Sequence, residues 1–313
     1  MTHHTKVALA ACSLLAFVLG VGATAPPRSI PPASVGPLPA VALRLPRDSQ
    51  ILMGLSVRSF VASRFYERFA QSGAAMRPTA LDELKRETGL DGERDLEQLV
   101  VATGRPGEIV ILAIGRLDRP RLESAWQQRA QKAPGRSLAF LSERTLAMGS
   151  TPWVDLVSGK IKGAELRTNA AMLALVRQVP EHAAFWMVSD GEALSRLAAN
   201  NAKTQAAAGL PLGLPPLKSI VITGEVEPLL SLTIRADAAD EKSAQGLADM
   251  LRGFVALAAL QSQSKPALRD LPGALEVTSQ DATVRLTAHL TNEMLEALVP
   301  KPAPAQPPAT PTP

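Results

Sequence analysis

Leu45-Pro46 leads into the apolar run Ile51-Leu52-Met53, then a polar break, then residues at helical spacing. The pattern returns at 179–197, where Val179-Pro180 leads into Phe185-Trp186-Met187. A short apolar run bounded by turn formers predicts a buried strand, and the spacing after it predicts a helix. In the second instance Ser189-Asp190-Gly191 makes the turn and starts a predicted helix over 191–200.

The parallel continues downstream. Segment 103–125 matches 223–244 when Thr103-Gly104 is laid on Thr223-Gly224. Ile109, Leu112 and Ile114 then fall on Leu229, Leu232 and Ile234. Each Thr-Gly joins two apolar runs, which is hairpin grammar. Asp118 and Asp237 each precede a helical pattern, where a carboxylate can accept from the free N–H groups of the first turn. "LAFLSERTLAM" (138–148) then matches "LEVTSQDATVRL" (275–286), with alternating apolar residues around Glu143-Arg144 and Gln280-Asp281. Both hairpins lead to a threonine placed to cap a helix. One is Thr151, with Pro152 at the first helical position, and the other is Thr291.

Each copy thus predicts strand, helix, strand, strand, helix, strand, extra strand, helix. The first six elements are the βαββαβ order of a ferredoxin-like unit. The expected class is α+β: two pseudo-repeats, 45–163 and 164–299, each a ferredoxin-like antiparallel sheet with helices on one face. The copies differ in their insertions. The first carries helical patterns within 66–97, and the second a Pro/Gly loop, 209–217. A long helix is predicted over 239–262, with Leu247, Met250, Leu251, Phe254, Leu257 and Ala258 as its core stripe.

The ends read differently. Met1–Lys6 is short and basic, and 7–25 is uncharged and rich in Ala, Leu, Val and Gly. This predicts a secretory signal over 1–25, cut after Ala25 or Ala23. The uncharged run also approaches the ~20 residues that span a bilayer, so an N-terminal anchor is the rival. Leu9-Ala10-Ala11-Cys12 resembles a lipoprotein box, which would add a lipid. The Pro-rich segments 26–44 and 300–313 predict an extended linker and a tail outside the core. The expected location is extracytoplasmic, with membrane contact only if the first segment is retained or lipidated.

Cys12 is the sole cysteine, so the folded part has no disulfide framework and no thiol chemistry. Stability must come from burial, for which 46% hydrophobic residues suffice. A net charge of +4, with no basic run interleaved with aromatics, argues against a nucleic-acid partner.

"LPRDSQILMGLSVRSF", "ELKRETGLDGERDLEQLVVA" and "ERTLAMGSTPWVDLVSG" together resemble exported bacterial proteins in domain families of unknown function. Those chains similarly run Leu/Val-Pro-x-Asp into a strand, then a Gly-Leu-Asp segment, then a strand ending in Gly-Ser. The resemblance covers about 40–300. It implies an envelope location and a duplicated α+β fold, and it carries no catalytic residue.

Little chemistry is written in the motifs. His182 and His289 are isolated, whereas metal sites need three or four ligands with local pairs, so no metal or cofactor is expected. Asp91, Glu93 and Asp95 alternate as in a calcium loop, but Leu96 and Ala102 occupy the places of its Gly and Glu, which leaves a capped helix start. Ser262 and Lys265 match Ser-x-x-Lys at the wrong end of a helix. Trp186, mid-strand, is expected in the core. Trp153 is expected either to cover the seam between the copies or to anchor a ligand there with Met148 and Leu214. The expected function is a non-enzymatic scaffold or binding protein of the envelope, with an envelope protein or a small apolar molecule as partner. The alternatives are a periplasmic carrier of an apolar ligand and a hydrolase with a carboxylate-based site.

Overall fold

Residues 37–71, 90–130, 134–196, 215–262 and 268–298 are described by the computed structural model. The strands are β1 (Ile51–Ser56), β2 (Leu96–Thr103), β3 (Ile109–Gly115), β4 (Arg136–Ser142), β5 (Thr145–Ser150) and β6 (Phe185–Asp190). They continue as β7 (Leu217–Glu225), β8 (Leu230–Ala238), β9 (Leu275–Gln280) and β10 (Thr283–Leu290). The helices are α1 (Val57–Val61), α2 (Arg64–Gln71), α3 (Gly92–Asp95), α4 (Arg119–Ala130), α5 (Thr151–Ser158), α6 (Ala170–Val176), α7 (191–196), α8 (Glu241–Ser262) and α9 (Asn292–Leu298).

All ten strands form one sheet in the order β4-β5-β3-β2-β1-β6-β7-β8-β10-β9. Every neighbouring pair is antiparallel. Read outward from the central β1–β6 pair, the two arms run in the same order. Met53 lies opposite Met187 at that centre. The element order expected for each copy is therefore present, as an α+β fold.

The pairing is not ferredoxin-like. That unit is a split βαβ, in which another strand lies between the two that the first helix joins, whereas here β2 pairs directly with β1. Here each arm is a three-strand meander followed by a hairpin whose second strand returns beside the meander. Nor do the helices keep to one face. α1, α2 and α4 bury Phe60, Phe65, Tyr66 and Leu122 against Leu55, Ala113, Leu146 and Phe185 on one face, called near. α5 and α6 bury Trp153, Val154, Val157, Met172 and Val176 against Leu52, Val100, Leu112, Ala147 and Val188 on the opposite, far face. α8 returns to the near face with Ala244, Leu247 and Ala248 against Ala236 and Val284.

Three local expectations shift. Thr103 lies opposite Ile51, whereas Thr223 lies opposite Trp186. Counted from the central pair, the two threonines point to opposite faces, so the Thr-Gly match is one residue out of step. Asp118 caps α4 by accepting the Arg121 N–H at 3.2 Å. Asp237 instead ends inside β8, and Asp240 caps α8 by accepting the Ser243 N–H at 2.7 Å. α5 has Ser150, not Thr151, at its N-cap, and the Ser150 hydroxyl bonds to Ile109 instead. Thr291 does cap α9, accepting the Met294 N–H at 3.3 Å.

The core stripe of α8 only partly follows the expected one. Leu247 is 5% exposed, but Phe254 and Leu257 are 37% and 48% exposed. Ala258 stays in contact, packing on the cluster of Leu268, Leu271 and Met294 that the strand residues Leu275 and Leu290 also join. Among the described residues, no helix is long and apolar enough to cross a membrane.

Candidate functional site

Strict alternation marks two strands of the second arm. β8 carries Ser231, Thr233, Arg235 and Asp237, and β10 carries Thr283, Arg285, Thr287 and His289, all on the far face. Alternation of this kind belongs to a strand with one buried and one wetted side. Its partner in the first arm, β3, reads Ile-Val-Ile-Leu-Ala-Ile, apolar on both sides.

The registers lay these residues out in rows across the sheet. One row runs Ser219, Asp237, Thr283, Gln280. The next runs Val221, Arg235, Arg285, Thr278, and the third Thr223, Thr233, Thr287, Glu276. Counted from the Met53–Met187 centre, the middle row corresponds to Val100, Leu112, Ala147 and Ala139 in the first arm. Leu112 and Ala147 are fully buried there beneath α5. The matching positions, Arg235 and Arg285, have no such cover. Val221 of β7 is still buried in the far-face core with Met172 and Val176 of α6, and among the described residues no helix covers Arg235 or Arg285 beyond it.

Asp237 organises the upper row. Its carboxylate accepts the Ser219 and Thr283 hydroxyls, each at 2.9 Å, and the Arg235 guanidinium at 3.1 and 3.2 Å. Burial pushes its pKa up, but the bonds from Ser219, Thr283 and Arg235 outweigh this and hold it below the ordinary aspartate value. A carboxylate engaged four ways and kept charged is a positioning group, not a proton donor at neutral pH. It fixes Arg235 parallel to the sheet. Arg285 lies directly across from Arg235, is exposed, and has no carboxylate partner among the described residues. Like charges facing each other across a strand pair repel. The Asp237 carboxylate, one row away, offsets Arg235, and Glu276 stands in the row on the other side, diagonal to Arg285.

The lower rows are hydroxyl and imidazole groups. Ser231 Oγ and His289 Nδ1 lie 3.2 Å apart. The other histidine, His182, pairs with Glu225 at 2.7 Å and is exposed. Among the described residues, no group of three His, Cys, Asp or Glu side chains could hold a metal ion. The whole face is a hydrogen-bonding surface on which Arg235 and Arg285 stand among the carboxylates of Asp237 and Glu276.

Of the residues singled out from the sequence, Trp153 and Met148 do not meet. Trp153 is 6% exposed and packs in the far-face core, where a Cβ on Gly104 would approach its ring to 2.8 Å. Met148 points to the near face beside Leu138 and Phe140. The sheet lies between them. Leu214 and most of loop 209–217 lie outside the described residues, as do 72–89, both chain ends and 263–267 of the Ser-x-x-Lys match. β1 and β6 pair directly, so the arms meet edge to edge. Trp186, expected in the core, is 4% exposed. Asp91 does cap a short helix, accepting the Arg94 N–H at 3.3 Å.

The face that sequence reasoning passed over had left a signal. Its alternation in β8 and β10 contrasts with the unbroken apolar run of β3, and that contrast is visible in the letters alone.

No known family profile matches the chain, and no curated protein matches it. The solved structure of TP0453, crystal form I, aligns at a TM-score of 0.38 and 7% identity, over 82% of this chain and 96% of that one.

Proposed function

We propose a non-enzymatic binding protein of the cell envelope, built from two copies of one five-strand unit that have divided the work. The first copy, covered on both faces, is the structural anchor. The second presents the far face of β8, β10 and β9 to a macromolecular partner. One observation carries this reading: at matching register positions, buried Leu112 and Ala147 give way to Arg235 and Arg285. A sheet face is rigid and pre-organised, so a partner docking there loses little entropy of the receptor. The envelope location is supported by the basic start and uncharged run of the first 25 residues.

The test is site-specific photo-crosslinking in the producing cell. A photo-reactive phenylalanine at Thr233 or Thr287 should yield a discrete adduct, and one at exposed Lys162 should not. Equal yields at all three positions, or no adduct at the two face positions, would remove the far face from the function.

A further inference from the structure

A cavity of about 660 Å³ opens beside the junction of β3 and α4, away from the polar face. Five arginines line it, Arg94, Arg116, Arg119, Arg121 and Arg144, against the carboxylates of Asp95, Asp118 and Glu143. The walls are tied by backbone. Arg116 N–H donates to Asp95 O at 2.7 Å, and Gly115 N–H donates to Arg144 O at 3.0 Å. A Cβ on Gly115 would stand 2.0 Å from Asp95 O, so only glycine lets α3 and the end of β3 approach this closely.

Most of the charge is already balanced. Arg94 forks onto Asp95 at 2.9 and 3.3 Å. Arg119 pairs with Glu123 at 2.8 Å, and Arg144 shares Glu97 with Arg58, at 2.6 and 2.5 Å. Asp118 is committed to the first turn of α4. Two guanidinium groups remain. Arg116 reaches only the carbonyl of Arg94, at 3.4 Å, and Arg121 has no carboxylate partner among the described residues. A guanidinium fork matches the oxygens of an oxyanion, and two forks suit a group with two charges and three free oxygens. The volume is that of a small-molecule site and exceeds a bare ion. Glu143 adds an acceptor for a hydroxyl.

We propose that this cavity binds a small phosphorylated molecule, with its phosphoryl group held by Arg116 and Arg121. The site is independent of the far face.

Calorimetric titration of the full chain with inorganic phosphate, phenyl phosphate and benzoate tests it. Phenyl phosphate should bind saturably and more tightly than benzoate, and inorganic phosphate should compete with it. Arg116→Gln and Arg121→Gln should each weaken phenyl phosphate about tenfold or more, the scale of a lost charge-assisted bond. Arg285→Gln, on the other face, should leave the titration unchanged. Arg116→Lys, which keeps the charge and loses the fork, should fall between and covers the case that the glutamine variant folds poorly. Absence of saturable phenyl phosphate binding, binding intact in the Arg116→Gln/Arg121→Gln double variant, or benzoate bound as tightly would each overturn the assignment.

Discussion

Gly54 sits opposite Trp186 in the central strand pair, and a Cβ there would lie 2.2 Å from the indole Nε1. The glycine is the space into which the ring folds. Gly54→Ala should cost about 1–3 kcal/mol, the range for overpacking a filled core, measured as a lower midpoint in urea. A midpoint equal to that of the parent would mean that Trp186 has another rotamer available. Asp237 gives a second test at this scale. Its folded pKa is lowered, so its contribution to stability is present above the ordinary aspartate value and lost as pH falls through the folded one. Melting temperature should therefore drop on acidification below about pH 4, and Asp237→Asn should flatten that drop. A parallel decline in both proteins would show that other carboxylates govern the acid limb. Residue-level sites were the least legible part of the sequence. Trp153 and Gly104 touch across the fold, and nothing in either neighbourhood announces the other. From its letters Trp153 reads as a cover for the seam between the copies or as a ligand anchor, and its ring lies in a cluster with residues of both arms.

Elements were more legible than their partners. The strand, helix and hairpin order of both copies followed from periodicity, because each element buries one side and its letters record which. Two features escaped that logic. Periodicity in α8 continues through Phe254, Leu257 and Leu260, although these three are exposed while Ala258 keeps its contact with the cluster of Leu268, Leu271 and Met294. The pattern says which side of a helix is apolar and not how far its support extends. Leu247→Ala should then cost about 2–5 kcal/mol by cavity formation, whereas Leu260→Ala should stay within about 0.5 kcal/mol. Urea denaturation of the two variants decides this, and equal losses would place Leu260 in a contact. The second feature is parity. Matched Thr-Gly letters suggested one register, while the sheet adopts another, one residue away. A single step along a strand turns every side chain over, and similarity of letters does not resolve a single step.

At the scale of the molecule, the two arms are one sheet. The far-face core joins Val100, Leu112 and Val154 of one arm to Trp186, Val188 and Val221 of the other. Ala42 and Leu45, which precede β1, pack in that same cluster as Leu166, which follows the first arm, and Leu166 N–H donates to Leu45 O. Unfolding should accordingly be one calorimetric transition, with calorimetric and van't Hoff enthalpies equal. Two resolved transitions would make the arms separate bodies and undercut the shared core. The like order of elements in the two arms could be read from the letters alone. The meander in each arm could not, since element order fixes neither which strands are neighbours nor whether they run parallel.

The Met53–Met187 centre has a consequence for how such a surface could change. In an assembly of two identical chains, any alteration to an outer face is made twice, so a charge introduced for contact also appears where a helix must cover it. Tethering both units in one polypeptide lifts that obligation. Arg285 could arise on one side while its counterpart stayed alanine under α5.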